Sequence, residues 1–416
     1  LVDLYTAARG FDASYQSAKS QFDATLAKAE QAQAAILPTV GLTAGISQTN
    51  QDVQLPVSRN YSYNSQSATI AASQPLYRPA NLASYEQGKK QVTLAQAQLS
   101  QAEQDLIVRV SQAYFDVLAS TDTLEFVKSQ KAAVAEQLAS AKRNFEVGTS
   151  TITDSREAQA RFDLVVAQQL AAENDLRVKS IALDQLVGTT NARPKPLNAP
   201  VALSGIQPAD AERWVNDALT NHPGIKQLEV ALDVAVLETA KAQAGHKPTL
   251  DLTGSLTTSN TTNGSSTGTA DTRANVASVG LSFTLPLFAG YATQNRIKET
   301  VALEEKARTD LEATKRVVAQ GTRTAYFGVE SGLGQVKALE AAEASSQSAL
   351  DANKLGYQVG VRINIDVLNS QSQLFDTKAK LAKARYDVLV GGLKLRQAAG
   401  TLKAEDLQPV NSQLAR

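Results

Sequence analysis

The chain has 416 residues, and its 41 Lys and Arg balance 41 Asp and Glu, so its formal net charge at pH 7 is zero. This balance argues against a nucleic-acid partner, because such partners are bound by clustered positive charge. Cysteine is absent, which excludes disulfides, thiolate metal sites and an acylated N-terminal cysteine. Aromatic residues make up only 5% of the chain, as is typical of long packed helices.

The sequence opens with LVDLYTAARG, without a methionine and without an apolar signal core. We therefore expect a mature exported protein whose leader peptide has been removed. No apolar run approaches the roughly 18 residues of a transmembrane helix. Any crossing of a membrane would therefore need a β-barrel.

After an N-terminal helix, residues 38–77 predict a hairpin of two strands. Within 39–47, apolar residues occupy the even positions and alternate with polar or small ones, which is the period-two pattern of a strand. The polar segment 50–64 predicts the loop that joins the two strands.

Residues 81–147 predict one very long helix. Neither Gly nor Pro occurs between Lys89 and Glu146, and apolar residues recur at spacings of three and four. At a rise of 1.5 Å per residue this helix would be about 100 Å long. Gly148 should end it, a return helix should follow over 155–187, and the proline-rich segment 189–210 should be a linker.

The second half repeats this plan. QPLYRPA at 74–80 matches LPLFAGY at 285–291, and AYF at 113–115 matches AYF at 325–327, at an offset near 211. An offset of this size indicates an internal duplication rather than a solenoid. We divide the chain into a first repeat, 1–205, and a second repeat, 206–416.

The elements predicted for the second repeat follow the order of the first. A helix comes first, and the later segments are a hairpin over 248–288 with a loop at 260–275, a long helix over 291–356, a return helix over 366–399 and a polar tail over 401–416. Four glycines fall within the long helix, at 321, 328, 332 and 334. Because glycine weakens helices, we expect this helix to be less regular than its counterpart.

Four amphipathic strands cannot close a barrel, because small membrane barrels have at least about eight strands and open edges are excluded from lipid. Three identical chains would supply twelve strands. The predicted fold is therefore mainly α with a β-barrel part, in which a trimeric barrel made of 38–77 and 248–288 continues into a coiled-coil helical tunnel. Segments 189–210 and 401–416 would form an equatorial part.

The duplicated plan, with GLSFTLPLFAG at 280–290 and YQVGVRINIDVLNSQSQLFDTKAKLAKARYDVL at 357–389, resembles the TolC family of outer-membrane exit ducts over essentially the whole chain. The resemblance implies a homotrimer in outer-membrane lipid with a periplasmic tunnel. It also implies recruitment by a periplasmic adaptor and an inner-membrane transporter of the ABC or RND type. The expected function is type I protein secretion, efflux of small molecules, or both, and the absent acylated cysteine favours the secretion branch.

By this resemblance, Asp366 lies in an acidic ring at the periplasmic entrance. Three carboxylates converging on an axis would favour cations. The family has a second acidic position one helical step later, where this chain has Asn369. That departure weakens the expectation of strong cation selectivity.

The resemblance also implies a latch that holds the entrance closed. In it, Tyr357 and Arg362 would link to Asp154 and Thr153 in the other helical turn, through charge-assisted bonds. The alternative is that Asp154 and Asp366 simply cap the return helices, where negative charge is favoured.

The Pro-Leu-aromatic motifs would mark the junction between barrel and tunnel, at Pro75 and Tyr77 in the first repeat and Pro286 and Phe288 in the second. The two aromatic rings would either belong to an interfacial belt or pack at the strand ends.

No enzyme, cofactor or metal site is predicted. The two histidines, His222 and His246, lack partners with ligand spacing, and GLGQVK at 332–337 lacks the third glycine of a dinucleotide loop. The alternative functions are a periplasmic adaptor and a structural coiled-coil rod. An adaptor would need an inner-membrane anchor and split lipoyl-like and β-barrel modules, and such modules are not evident, while a rod leaves the four strands unexplained.

Overall fold

The computed structural model describes residues 1–54, 59–198, 201, 203–264 and 270–415. In these ranges the elements are α1 (Val2–Phe11), α2 (Ala13–Ala34), β1 (Thr39–Val53), β2 (Arg59–Tyr77), α3 (Pro79–Glu146), α4 (Ile152–Val187), α5 (Ala211–Asn221), α6 (Pro223–Gln243), β3 (Thr249–Thr262), β4 (Thr272–Thr284), α7 (Ala292–Gln358), α8 (Asn364–Ala398) and α9 (Leu407–Ser412). Short 3-10 turns precede β3 and α9. None of the helices in these ranges combines the length and apolarity needed to span a membrane.

The four strands form one antiparallel sheet in the order β1-β2-β3-β4. The hairpins of the two repeats are therefore neighbours, and β2 pairs with β3 from Asn64 to Tyr77. The outer edges of β1 and β4 have no partner strand among the described residues. Unpaired backbone groups along two edges leave the sheet incomplete as a membrane structure.

Both hairpin loops are shorter than predicted. Residues 50–53 and 59–64 belong to β1 and β2, and the second loop likewise loses residues to β3 and β4. The prediction failed because ladder hydrogen bonds come from the backbone, whereas these strand ends are made mostly of polar residues and resemble a loop in composition. The loop centres, 55–58 and 265–269, lie outside the described residues.

The long helices α3 and α7 run 68 and 67 residues without a break, so the four glycines do not interrupt the second. One of them, Gly332, and Gly391 of α8 have a packing reason. A Cβ added at Gly332 would lie 2.9 Å from Val388 Cγ2, and one added at Gly391 would lie 3.2 Å from Val329 Cγ2. Glycine on facing positions lets α7 and α8 approach closely, and this packing offsets the lost helix propensity.

The duplication extends to details of the backbone. Asp12 separates α1 from α2 with φ −59° and ψ 116°, and His222 separates α5 from α6 with φ −61° and ψ 123°. A glycine with a left-handed backbone, at the end of a return helix, packs against each break. This glycine is Gly188 in the first repeat and Gly400 in the second. A Cβ at Gly188 would lie 2.4 Å from the Phe11 ring, and one at Gly400 would lie 2.4 Å from the His222 Cα.

The chain divides into two compact units, and each unit takes residues from both repeats. Unit 1 comprises 1–20, 97–226 and 312–416. Its largest core cluster surrounds Tyr114 and Phe115, with Phe115 stacked on Tyr386 at 5.5 Å between ring centroids. Unit 2 comprises 21–96 and 227–311 and contains the sheet.

The prediction that the tail, 401–416, is polar is wrong. Leu407, Val410 and Leu414 are buried in the unit 1 core, because α9 turns its apolar side inward. Leu197 of the predicted linker forms an isolated antiparallel bridge with Leu414. Residues 199, 200, 202 and 416 of these two segments lie outside the described residues.

Candidate functional site

The turn between α3 and α4 is closed by its own backbone and capped by its own side chains. Gly148 adopts φ +76°, and the Thr149 N–H donates to the Asn144 carbonyl at 2.8 Å, which is a Schellman ending. Thr151 then caps α4. Its hydroxyl accepts from the Asp154 N–H at 3.2 Å, and the Asp154 carboxylate accepts from the Thr151 N–H at 3.0 Å. The result is a complete capping box.

The carboxylate of Asp154 is therefore occupied locally. It also accepts from the Ser150 hydroxyl at 2.6 Å and the Thr151 hydroxyl at 2.8 Å. The bond from Ser150 and then those from Thr151 hold the pKa of Asp154 below its usual value, against the opposing effect of partial burial.

The turn between α7 and α8 has the same backbone but a different cap. Gly360 adopts φ +77°, and the N-cap residue is Ile363, which has no side-chain acceptor. Asp366 occupies the position that Asp154 has in the first turn, three residues after the N-cap. Without a capping box, its carboxylate is paired only with Arg362 among the described residues, loosely, at 3.7 Å.

Within one chain, the described residues do not join the predicted latch. Arg362 pairs with Asp366 instead, and the Tyr357 hydroxyl accepts from the Asn144 side-chain amide at 3.2 Å. No contact connects either of them to Asp154 or Thr153 among the described residues. The latch therefore stays a prediction about neighbouring chains, while the capping alternative describes the local state of Asp154.

A buried amide, which the sequence analysis missed, connects the two turns. Asn364 is 1% exposed, accepts from the Gln137 side-chain amide and donates to the Asp154 carbonyl at 3.4 Å. It lies one residue after the N-cap of α8, where an asparagine looks like an ordinary solvent-exposed residue. Asn364 lies three residues before Val367, the first residue of the apolar seam at 367, 374 and 381, and this helical spacing, which puts both on one face, would have been the available signal.

Asn369 faces a cation. Its side-chain oxygen accepts from Arg161 Nη2 at 2.8 Å, in a groove of about 840 Å³ lined by α3, α4 and α8. The position therefore carries an amide and a neighbouring positive charge where the resembling family has an acid.

One face of the sheet is apolar and uncovered. Its apolar side chains are Val40, Leu42, Ile46, Ile70, Leu252, Leu256, Val279, Leu281 and Phe283. All of them are exposed, Val279 by 84%. The opposite face carries mainly Thr, Ser and Gly. A contiguous uncovered apolar surface of this kind indicates contact with lipid or with another chain.

The predicted junction residues lie where strands give way to helices. Pro75 and Tyr77 end β2, at a register shift against β3, and Pro286 and Phe288 follow β4. Phe288 is 73% exposed and contacts only the neighbouring Tyr291 ring, at 5.5 Å. Tyr77 is also exposed, so within the chain neither ring is packed at its strand end.

The two connections from sheet to helix differ in length. Arg78 alone separates β2 from α3, and it is clamped by two hydrogen bonds to Asp251 of β3, at 2.7 and 2.5 Å. Residues 285–291 separate β4 from α7, and Gly290 and Tyr291 in this segment have positive φ.

The described residues contain no cluster of three or more acidic or histidine side chains that could hold a metal. His222 is a structural residue, since its Nδ1 accepts from the Gly224 N–H at 3.1 Å, and burial lowers its pKa.

Comparison with known proteins identifies the family. The family model described as "Outer membrane efflux protein" matches residues 4–189 and 214–401, once in each repeat. The chain is 34% identical over 414 residues to "Outer membrane protein TolC" of Vibrio cholerae, covering 100% of this chain and 93% of that relative. It is 30% identical to "Alkaline protease secretion protein AprF" of Pseudomonas aeruginosa, covering 99% and 86%.

A solved structure supports the same fold. The crystal structure of the outer membrane protein VceC from Vibrio cholerae superposes with a TM-score of 0.81, at 18% identity, covering 96% of this chain and 95% of VceC. The fold of the chain is therefore that of outer-membrane channels with a β-barrel and a helical tunnel. Because the family model matches each repeat and the sequence identity extends along the whole chain, this protein belongs to the outer membrane efflux protein family.

Proposed function

We propose that three copies of this chain form a passive exit duct through the outer membrane. The observation that carries the proposal is the four-stranded sheet, which has one uncovered apolar face and two unpaired edges. Lipid excludes unpaired strand edges, because each unsatisfied backbone group costs several kcal/mol. Three sheets joined edge to edge close at twelve strands and leave no edge.

The long helices supply the wall of the duct beyond the sheet. Each hairpin is followed by a helix of more than 60 residues, after one residue in the first repeat and after seven in the second. Such a helix extends well beyond the thickness of a bilayer. A channel of this design moves cargo without chemistry of its own.

Energy and cargo selection would come from partners. A periplasmic adaptor and an inner-membrane transporter, of the ABC or RND type, would recruit the duct. The descriptions of its relatives name both kinds of export. The family is one of efflux proteins, and AprF is a protein for protease secretion. We therefore propose export of proteins, small molecules or both.

At the entrance, Asp366 would form the acidic ring, because its carboxylate is not consumed by a cap. Asn369 would add no second ring, and Arg161 beside it reduces the local negative charge. Arg362 would reach Asp154 and Thr153 of a neighbouring turn in the closed state, with Tyr357 beside it. Arg362 is well exposed in the single chain, with 59% of its side chain accessible, so it is available for such a contact.

Disulfide cross-linking tests the assembly, because the chain has no cysteine of its own. Thr43 of β1 is changed to Cys, and a second Cys is moved one residue at a time along β4, from 274 to 282. Oxidation should give covalent dimers and trimers at alternate positions, where the two side chains share a face. Cross-links at no position would contradict closure through these edges.

Ion conductance tests the channel itself. The purified protein should need detergent for extraction and should produce discrete current steps in planar bilayers. A monomer that is soluble without detergent and gives no current would favour the adaptor or rod instead.

A further inference from the structure

The apolar face of the sheet changes character along its strands. On β1 the apolar positions run from Val40 to Ile46, about 20 Å at 3.3 Å per residue. Beyond Ile46 the same face carries Gln48, Asn50 and Asp52, which remain paired with β2. The sheet therefore extends past the band that contacts lipid tails, and its outward face there is polar.

Arg273 lies on this face of β4, at the edge of the apolar band, in the register row that ends at Ile46. Side chains alternate along a strand, so Arg273 shares the side of Asn275 and Ala277. The side chains of Thr258 and Asn275 are hydrogen-bonded to each other, and Thr258 shares the side of Leu256, which fixes these positions to the apolar face. Arg273 is four residues beyond Ala277, about 13 Å along the strand.

Amides and hydroxyls surround Arg273. One row of the sheet register runs across all four strands. It contains Arg273 of β4, Asn260 of β3, Gln66 of β2 and Ile46 of β1. With Thr258 in the next row, these residues line a depression of about 550 Å³. Side-chain amides and hydroxyls both donate and accept hydrogen bonds, so the depression is suited to a neutral polar group beside an anion.

The positive charge of Arg273 is not compensated by an ion pair with any residue in the described ranges. The nearest acid in sequence, Asp271, accepts from the Asn263 N–H at 2.8 Å. Asp251 lies on the opposite face and is held by Arg78. An arginine on a lipid-facing strand costs about 2–4 kcal/mol at the bilayer midplane and little near the headgroups, which agrees with a place at the edge of the apolar band.

We infer that Arg273 and the depression beside it bind the phosphorylated sugar headgroup of a membrane glycolipid. The planar guanidinium matches two phosphate oxygens. Asn260, Gln66 and Thr258 would bond sugar hydroxyls, and Ile46 would contact the first carbons of an acyl chain. The inference rests on the proposed function, because it requires the sheet to lie in lipid.

The experiment uses the full-length protein in detergent, titrated with lipid A, a diphosphorylated and acylated glucosamine disaccharide. Native mass spectrometry measures the bound lipid for wild type, Arg273→Gln and Lys337→Gln, in which an exposed cation of α7 is removed. We expect Arg273→Gln to weaken lipid A binding about tenfold, the loss of one charge-assisted contact, and Lys337→Gln to bind like wild type. Dephosphorylated lipid A should bind all three proteins equally and weakly.

Equal binding of lipid A by wild type and Arg273→Gln would overturn the inference. So would an equal loss with the dephosphorylated lipid, since Arg273 would then act on structure rather than on phosphate. Displacement by inorganic phosphate at the concentration of the lipid would overturn the assignment to a lipid headgroup. Conductance of the same preparations separates the two proposals: absent current counts against the duct, whereas normal current with unchanged lipid binding counts only against this site.

Discussion

The two helical turns of the chain have the same backbone and differ in the residue that caps the next helix. Both use a left-handed glycine, Gly148 or Gly360, and both place an aspartate three residues after the N-cap. In the first turn the cap is Thr151, and in the second it is Ile363. The turns also differ one residue earlier, where Ser150 is matched by Arg362, and these two positions decide how the aspartate is bonded within its own turn.

The duplicated sequence therefore does not imply duplicated function. Asp154 is held by Ser150 and Thr151, whereas Asp366 has only Arg362 at 3.7 Å. A carboxylate that already accepts several hydrogen bonds gains less from a new partner than one that is loosely paired. This difference favours the second turn as the electrostatic part of the proposed entrance.

The largest expected effect comes from the glycines that end the return helices. We expect Gly400→Ala to lower the free energy of unfolding by about 3 kcal/mol or more, because the new Cβ meets the His222 backbone in a left-handed conformation. Gly188→Ala should cost about 1–2 kcal/mol, since it meets the Phe11 ring, which can rotate. Denaturant unfolding in detergent measures both, and equal costs would contradict the role of the backbone contact.

The next effect concerns the first cap. Thr151→Ala should destabilise the protein by about 1 kcal/mol, the usual cost of losing an N-cap. Ile363→Ala, at the matching position of the second turn, should cost much less, because Ile363 makes no cap bond and is 60% exposed. A similar loss from both changes would show that the caps are not the difference between the turns.

Entrance electrostatics should depend on one aspartate and not on the other. Asp366→Asn should lower the cation-to-anion permeability ratio by more than about twofold, and Asp154→Asn should leave it nearly unchanged. Reversal potentials in asymmetric salt give the ratio, and a stronger response to Asp154→Asn would refute the assignment.

The smallest effect is the pH dependence of the first cap. The pKa of Asp154 is lowered in the folded protein, so its stabilisation is complete above the ordinary aspartate pKa and is lost as pH falls through the lowered value. The stability difference between wild type and Asp154→Asn should therefore hold steady from pH 7 to about 5 and shrink in more acidic solution. A difference that grows on acidification would contradict the lowered pKa.

Sequence patterns predicted the features that depend on local periodicity. The long helices follow from the seam of apolar residues, and the two turns follow from Gly148 and Gly360. The polar ends of β1 and β2 could not be predicted, because their ladder is a property of the backbone. The buried contact between Asn364 and Gln137 was also missed, since an amide gives no sign of burial until its neighbours are placed.

At the junction, too, the sequence predicted some features and could not predict others. Tyr77 and Phe288 were found by the repeat, but sequence alone could not choose between packing and exposure. The partner of Asp251 was not predicted either, because Arg78 lies 173 positions away in the chain. Long-range ion pairs depend on strand order, which the sequence does not state.

The two connections between sheet and long helix differ in length. In each subunit, the first long helix is therefore joined rigidly to the sheet and the second is joined loosely. Rotation of α3 would be passed to the sheet through Arg78, which is bonded to Asp251 at two points. Rotation of α7 would first act on the seven residues 285–291. We therefore expect the sheet to follow a rotation of the first long helix more closely than a rotation of the second.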